Sequence, residues 1–85
     1  MTLLRPDWLT RRGGDLKLSS DGYTWLVMFD RGPQYALEPV PVQGKFGCVI
    51  KQTINGKRTE CTGVYPSEEE AIRGGLEELR KSLGW

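Results

Sequence analysis

Cys48 and Cys61 are the side chains of this chain best suited to nucleophilic, redox or metal chemistry, and their number, spacing and company argue against each use. A cysteine or serine nucleophile is usually activated by an imidazole base, and the 85 residues contain no histidine. Two thiolates without histidine cannot complete a tetrahedral zinc site within one chain. The pair is too widely spaced for a C-x-x-C redox motif and too few for a disulfide framework. Carboxylate pairs offer another route to acid–base work. The acidic residues here, however, fall in turns or on the solvent stripe of a helix, and Glu68, Glu69 and Glu70 read as capping and dipole residues. Gly13, Gly14, Gly44, Gly47 and Gly63 form neither a G-x-G-x-x-G nor a P-loop, and no Gly-Lys-Ser or Gly-Lys-Thr occurs. A single Arg11-Arg12-Gly13-Gly14 reads as the end of a helical turn rather than as a Gly-rich RNA-binding segment. The expectation is a chain that is not an enzyme, with no cofactor, no metal and no small-molecule substrate.

The elements that hold these residues must come from one small core. A chain of 85 residues buries roughly 60% of its extended surface, enough for a single domain over residues 1–85. Twelve basic against eleven acidic side chains leave a net charge of +1, without the excess of a dedicated nucleic-acid binder. The average conceals a gradient. Residues 43–62 hold Lys45, Lys51, Lys57 and Arg58 against Glu60, whereas residues 66–85 hold five glutamates against Arg73, Arg80 and Lys81. With no apolar run near ~20 residues and no N-terminal stretch resembling a secretion signal, the expected setting is cytoplasmic, with reduced thiols and no membrane contact.

Four turn signals divide the chain: Asp21-Gly22, Asp30-Arg31-Gly32-Pro33, Gln43-Gly44 and Asn55-Gly56. They delimit strands near 15–20, 23–30, 34–40, 45–54 and 57–64. The fold class is therefore α+β, an antiparallel meander of four to five strands over 15–64 packed against one C-terminal helix over 67–83. An N-terminal flap covers 1–14. Pro39 and Pro41 lack the N–H a ladder needs, which puts that end of the third segment on an edge or outside the sheet. The second strand, Tyr23–Phe29, is apolar on both faces. The helix can cover one of them; Leu3, Leu4, Trp8 and Leu9, or a partner subunit, are left to cover the other, with residues 6–11 forming a short helical turn.

Taking Asn55 and Gly56 as a two-residue loop sets Ile54 opposite Lys57, Gln52 opposite Thr59, Ile50 opposite Cys61 and Cys48 opposite Gly63. Phe46, Cys48, Ile50, Ile54, Cys61 and Tyr65 then share the buried face. Lys51, Thr53, Arg58, Glu60 and Thr62 share the other, with Lys51 facing Glu60. The two thiols fall on a diagonal, with Cβ atoms roughly 7 Å apart against the about 3.8 Å a disulfide wants, and read as small buried hydrophobes.

Ser67 and Glu70 form a capping box, Ile72, Leu76, Leu79 and Leu83 a single apolar stripe, and Gly84 a C′ residue. Gly74 and Gly75 break the pattern, since each costs up to ~1 kcal/mol relative to alanine inside a helix. Gly75 flanks the stripe and permits close approach to the sheet; Gly74 points away from the core and has no account from the sequence. Trp25 reads as core, and Trp8 and Trp85 as staples near the termini.

Residues 44–80 resemble the DNA-binding domains of plant ethylene-response factors and the related arm-binding domains of tyrosine integrases. The likeness rests on Gly44-Lys45-Phe46, Asn55-Gly56-Lys57 and the run Gly63-Val64-Tyr65-Pro66-Ser67-Glu68-Glu69-Glu70-Ala71. It implies a three-stranded sheet entering the major groove through Lys51, Thr53, Arg58 and Thr62. Glu60 on that face and the two additional N-terminal strands depart from the family pattern.

Together these readings predict a non-enzymatic interaction module that binds a protein partner or a second copy of itself through exposed sheet surface. The alternative is a duplex-DNA binder using the basic hairpin. The candidate contacts are Lys45, Lys51, Thr53, Lys57, Arg58 and Thr62.

Overall fold

The fold is taken from a computed structural model, which describes residues 5–29 and 32–85. Along the chain run α1 (Asp7–Arg11), β1 (Asp15–Leu18), β2 (Trp25–Phe29), β3 (Gly32–Val42), β4 (Lys45–Gln52), β5 (Arg58–Glu60) and α2 (Glu68–Leu83). The strands form one antiparallel sheet in the order β1-β2-β3-β4-β5, the predicted meander with a helix after it. Asp30, Arg31, Leu3 and Leu4 lie outside the described residues.

The turns are set by which residues accept positive φ. Gln43 (φ 49°) and Gly44 (φ 81°) both do, which is what a type I′ turn requires, and they join β3 to β4 as a two-residue loop between Val42 and Lys45. At Asn55-Gly56 only the glycine does (φ 71°). That hairpin instead closes at Gln52, whose N–H donates to the Lys57 carbonyl at 2.8 Å, around a four-residue loop. Thr53 is pulled the other way, its N–H donating to the Gln34 carbonyl at 3.1 Å and its hydroxyl to the Pro33 carbonyl.

The β4–β5 register therefore differs by two residues from the sequence expectation. Val49 pairs with Glu60, Ile50 with Thr59 and Lys51 with Arg58. A slip of two keeps the paired side chains of β4 and β5 on their predicted faces but changes their neighbours, while Thr62, expected on the outer face, turns to Glu78 of α2. Lys51 faces Arg58 rather than Glu60, and Ile54 stands in the loop, 89% exposed instead of buried.

Pro39 and Pro41 stay within β3, paired with Cys48 and Phe46. Cys48 gives its carbonyl to the N–H of Cys61 just past β5, so alternate β4 residues bond to β3 and Pro39 is not asked for a ladder N–H there. On its other side β3 meets β2 only as far as the Trp25–Leu37 pair, so both prolines lie on a local edge.

One face of the sheet carries the core. Trp25, Val27, Leu37, Cys48 and Ile50 alternate inward and meet Ile72, Leu76 and Leu79 of α2, together with Leu9 of α1. Both helices thus lie on the same side. This corrects the expectation that Trp8 and Leu9 cover the opposite face of β2: Leu9 is fully buried in the cluster beneath α2, and Trp8 packs on its rim. The indole N–H of Trp25 is buried there without a partner among the described residues.

α2 is capped at both ends. Ser67 Oγ accepts from the Glu70 N–H at 3.2 Å. Gly84 (φ 76°) reverses the chain, so that the Trp85 N–H reaches the Arg80 carbonyl at 3.0 Å. The reversal lays Trp85 against Trp8 and Phe29, at centroid distances of 5.8 and 5.6 Å, with the Arg12 guanidinium 4.6 Å from its ring.

The two helix glycines have separate reasons. A Cβ on Gly75 would overlap the Cys48 sulfur and stand 3.1 Å from Leu37 Cδ2, so the glycine lets α2 sit close on the sheet. A Cβ on Gly74 would enter the Tyr65 ring, which lies against Gly63 on its other side. The contact that explains Gly74 comes from the β5–α2 connection, held in place by the Phe46–Tyr65 bridge.

Candidate interaction surface

Because side chains alternate along a strand, the residues between the core positions form a second face, and neither helix covers it. Cross-strand pairing orders this open face into rows. One row crosses all five strands: Lys17, Leu26, Ala36, Lys51 and Arg58. The next holds Glu38, Val49 and Glu60. Beyond it lie Val40 and Val42, beside Gly47.

Apolar side chains thus occupy the middle of the open face, with charges around them. Towards the β3–β4 turn, Val40, Val42 and Val64, around Gly47 and over the buried Val49, line a hollow of about 230 Å³ that Glu60 and Cys61 border. Val42 and Val64 are 37% and 48% exposed, although their chemistry favours burial. Among the described residues the ion pairs are Arg5–Asp15 at 3.2 Å, Arg73–Glu69 at 3.5 Å and Arg80–Glu77, and none involves the charges of the two rows.

The six candidate contacts separate on this frame. Lys51 and Arg58 are direct neighbours on the open face, both exposed. Lys45 shares the face at the far end of β4, about 20 Å from Lys51 along the strand. Thr53 is tied to β3 by its own hydrogen bonds. Lys57, opposite Gln52, belongs to the helix side of the hairpin. Thr62 turns to α2, its N–H 3.1 Å and its hydroxyl 3.4 Å from the Glu78 carboxylate. Lys17, Leu26, Ala36, Glu38, Val40 and Val49 were not among the candidates. The sign of them in the sequence was β2, apolar on both faces, and the small or apolar residues alternating with others through β3.

On the helix side, the corrected register sets Cys48 and Cys61 directly opposite one another, with the Cys61 N–H 2.9 Å from the Cys48 carbonyl, rather than on a diagonal. Both are free thiols. Pairing with the Cys61 thiol, together with burial, pushes the Cys48 thiol far up, so it stays protonated, and its Sγ lies 3.8 Å from the Val49 carbonyl that accepts from it. The same pairing lowers Cys61, against the opposing effects of burial and the Glu78 carboxylate. Cys61 borders a groove of about 290 Å³ between β5 and the C-terminal half of α2. Among the described residues no helix is long and apolar enough to cross a membrane.

Compared with protein-family models, curated proteins and solved structures, the chain has no match.

Proposed function

We propose that this chain is a non-enzymatic interaction module that binds protein through the open face of its sheet. The observation that carries the reading is the half-buried Leu26 and Ala36 together with the exposed Val42 and Val64 of the valine hollow, apolar surface that neither α1 nor α2 covers and that the buried Val49 underlies. Apolar area leaving water contributes about 25 cal/mol per Å², and contiguous apolar surface ringed by charge is the usual composition of a docking site. Nothing comparable supports catalysis. The more buried thiol is held protonated, and the more exposed one has no base beside it other than Glu78, whose charge opposes ionisation.

A photo-crosslinking residue replacing the half-buried Leu26 is expected to yield discrete protein adducts in cells, with the same probe replacing Arg73 on the outer surface of α2 as the control. Absence of any protein adduct from position 26, a second copy of the chain included, contradicts the reading.

A duplex-DNA reading draws on one specific observation, the direct juxtaposition of Lys51 and Arg58 with no carboxylate among the described residues paired to either. Glu38 and Glu60 in the adjacent row weigh against it by repelling phosphates. This reading predicts duplex-induced amide shifts at Lys51 and Arg58 that fade as salt rises. Unchanged spectra at low salt remove it.

A further inference from the structure

We infer that the partner seated on the open face is a second copy of this chain, packed face to face about a two-fold axis that runs across the strands between the two charged rows. The inference rests on the protein-binding reading above and adds the partner's identity and orientation.

The argument is one of symmetry and charge. A two-fold interface brings the same patch of both copies together, so the patch must be complementary to itself under the rotation. The open face carries a basic row, Lys17 with Lys51 and Arg58, and an acidic row, Glu38 with Glu60, two residues further along the strands or about 7 Å away. An axis along the strands would lay each row on its own copy and set like charges together. An axis across the strands, between the rows, lays the basic row of one copy on the acidic row of the other and keeps each strand opposite its counterpart.

The charges of β3 to β5 interlock under this rotation, with Glu38 over Ala36 beside Lys51 of the other copy, while Lys17 on β1 has no acidic counterpart. Arg58 and Glu60 both belong to β5, so each faces the other in the second copy. Lys51 lies over Val49 of the other copy, which its own sheet flanks with Glu38 and Glu60. The half-buried Leu26 and Ala36 fall inside the contact, where two sheets packed about 10 Å apart exclude water, and Val49 is already buried beneath the charges that flank it. A protein with one charge sign on this face would need a partner of the other sign. The alternation of rows supplies both from one sequence.

Sedimentation equilibrium of the full chain is expected to show a reversible rise from 9.6 kDa towards twice that mass with concentration. Two variants test the orientation. Lys51→Glu with Arg58→Glu makes the face acidic, and Glu38→Lys with Glu60→Lys makes it basic. Each alone is expected to stay at the monomer mass, and an equimolar mixture to regain the doubled mass. Helical circular dichroism confirms that each is folded, and Arg58→Glu paired against Glu60→Arg repeats the test with one change per chain. A wild-type chain that stays monomeric at high concentration overturns the inference, as does a mixture that fails to associate or a single-sign variant that dimerises as the wild type does. Adducts from position 26 to other proteins only overturn the self-pairing and leave the interaction-module reading standing; no adducts at all remove both.

Discussion

Replacing Gly75 with alanine is expected to destabilise the fold, against the usual effect of that change in a helix. In an exposed helix interior, alanine gains about 1 kcal/mol over glycine. Here the added methyl would overlap the Cys48 sulfur and stand 3.1 Å from both Cys48 Cβ and Leu37 Cδ2. Leu37 is fully buried and Cys48 nearly so, which leaves neither free to swing aside. Overpacking a core of this kind costs about 1–3 kcal/mol. Three tight contacts on two buried residues place the cost near the top of that range, and subtracting the propensity gain leaves a net loss of about 2 kcal/mol. For a domain of this size that corresponds to a fall in Tm of roughly 10 °C. Urea unfolding followed by tryptophan fluorescence measures it. Combining Gly75→Ala with Cys48→Ala removes the overlapping sulfur, and the double variant should recover at least about 1 kcal/mol of the sum of the single losses. A Gly75→Ala protein as stable as the wild type, or more so, would refute the close approach of α2 to β4.

Gly74→Ala should destabilise the wild-type chain but stabilise a Tyr65→Ala background by up to about 1 kcal/mol, because the ring that excludes the methyl is then gone; the same sign in both backgrounds contradicts the Tyr65 account. Native alkylation followed by peptide mass spectrometry should modify Cys61 first and leave Cys48 unmodified until the protein unfolds, since only Cys61 is both partly exposed and lowered; equal rates contradict the burial of Cys48 beneath α2. Asp21 accepts from the hydroxyls of Ser19 and Thr24, each at 2.6 Å, and from the Thr24 and Tyr23 N–H groups, which hold its carboxyl well below the ordinary 3.8. Its folded value is depressed, so the stability it gives the β1–β2 turn is present above the ordinary value and is lost as pH falls through the folded one. An NMR titration should find this carboxylate still ionised at pH 3, and protonation at the ordinary value contradicts the turn geometry.

The sequence made the element order and the two faces of the hairpin legible because both follow from short-range signals, alternation in β4, the Ser67 cap and the stripe from Ile72 to Leu83. The register was not legible, because it depends on a distant contact. Asn55-Gly56 has the composition of a two-residue turn, but Thr53 is committed to Gln34 and Pro33 across the sheet, and that commitment lengthens the loop. The same kind of distant contact hid the reason for Gly74, since nothing within the helix reveals that Tyr65 lies over it. Of the interaction surface, Lys51 and Arg58 were visible as exposed hairpin cations. Their grouping with Lys17, Leu26 and Ala36 follows from three further strand registers that short-range patterns do not specify.

The central claim is that the open face of the sheet, and not the helical face, is where this chain meets a second copy of itself. A concentration series of amide NMR spectra on the intact chain tests it most directly. The account predicts progressive shifts and broadening at Leu26, Ala36, Glu38, Val49, Lys51 and Arg58, with the exposed face of α2 unchanged. Spectra that do not change with concentration, or changes confined to α2, would contradict it.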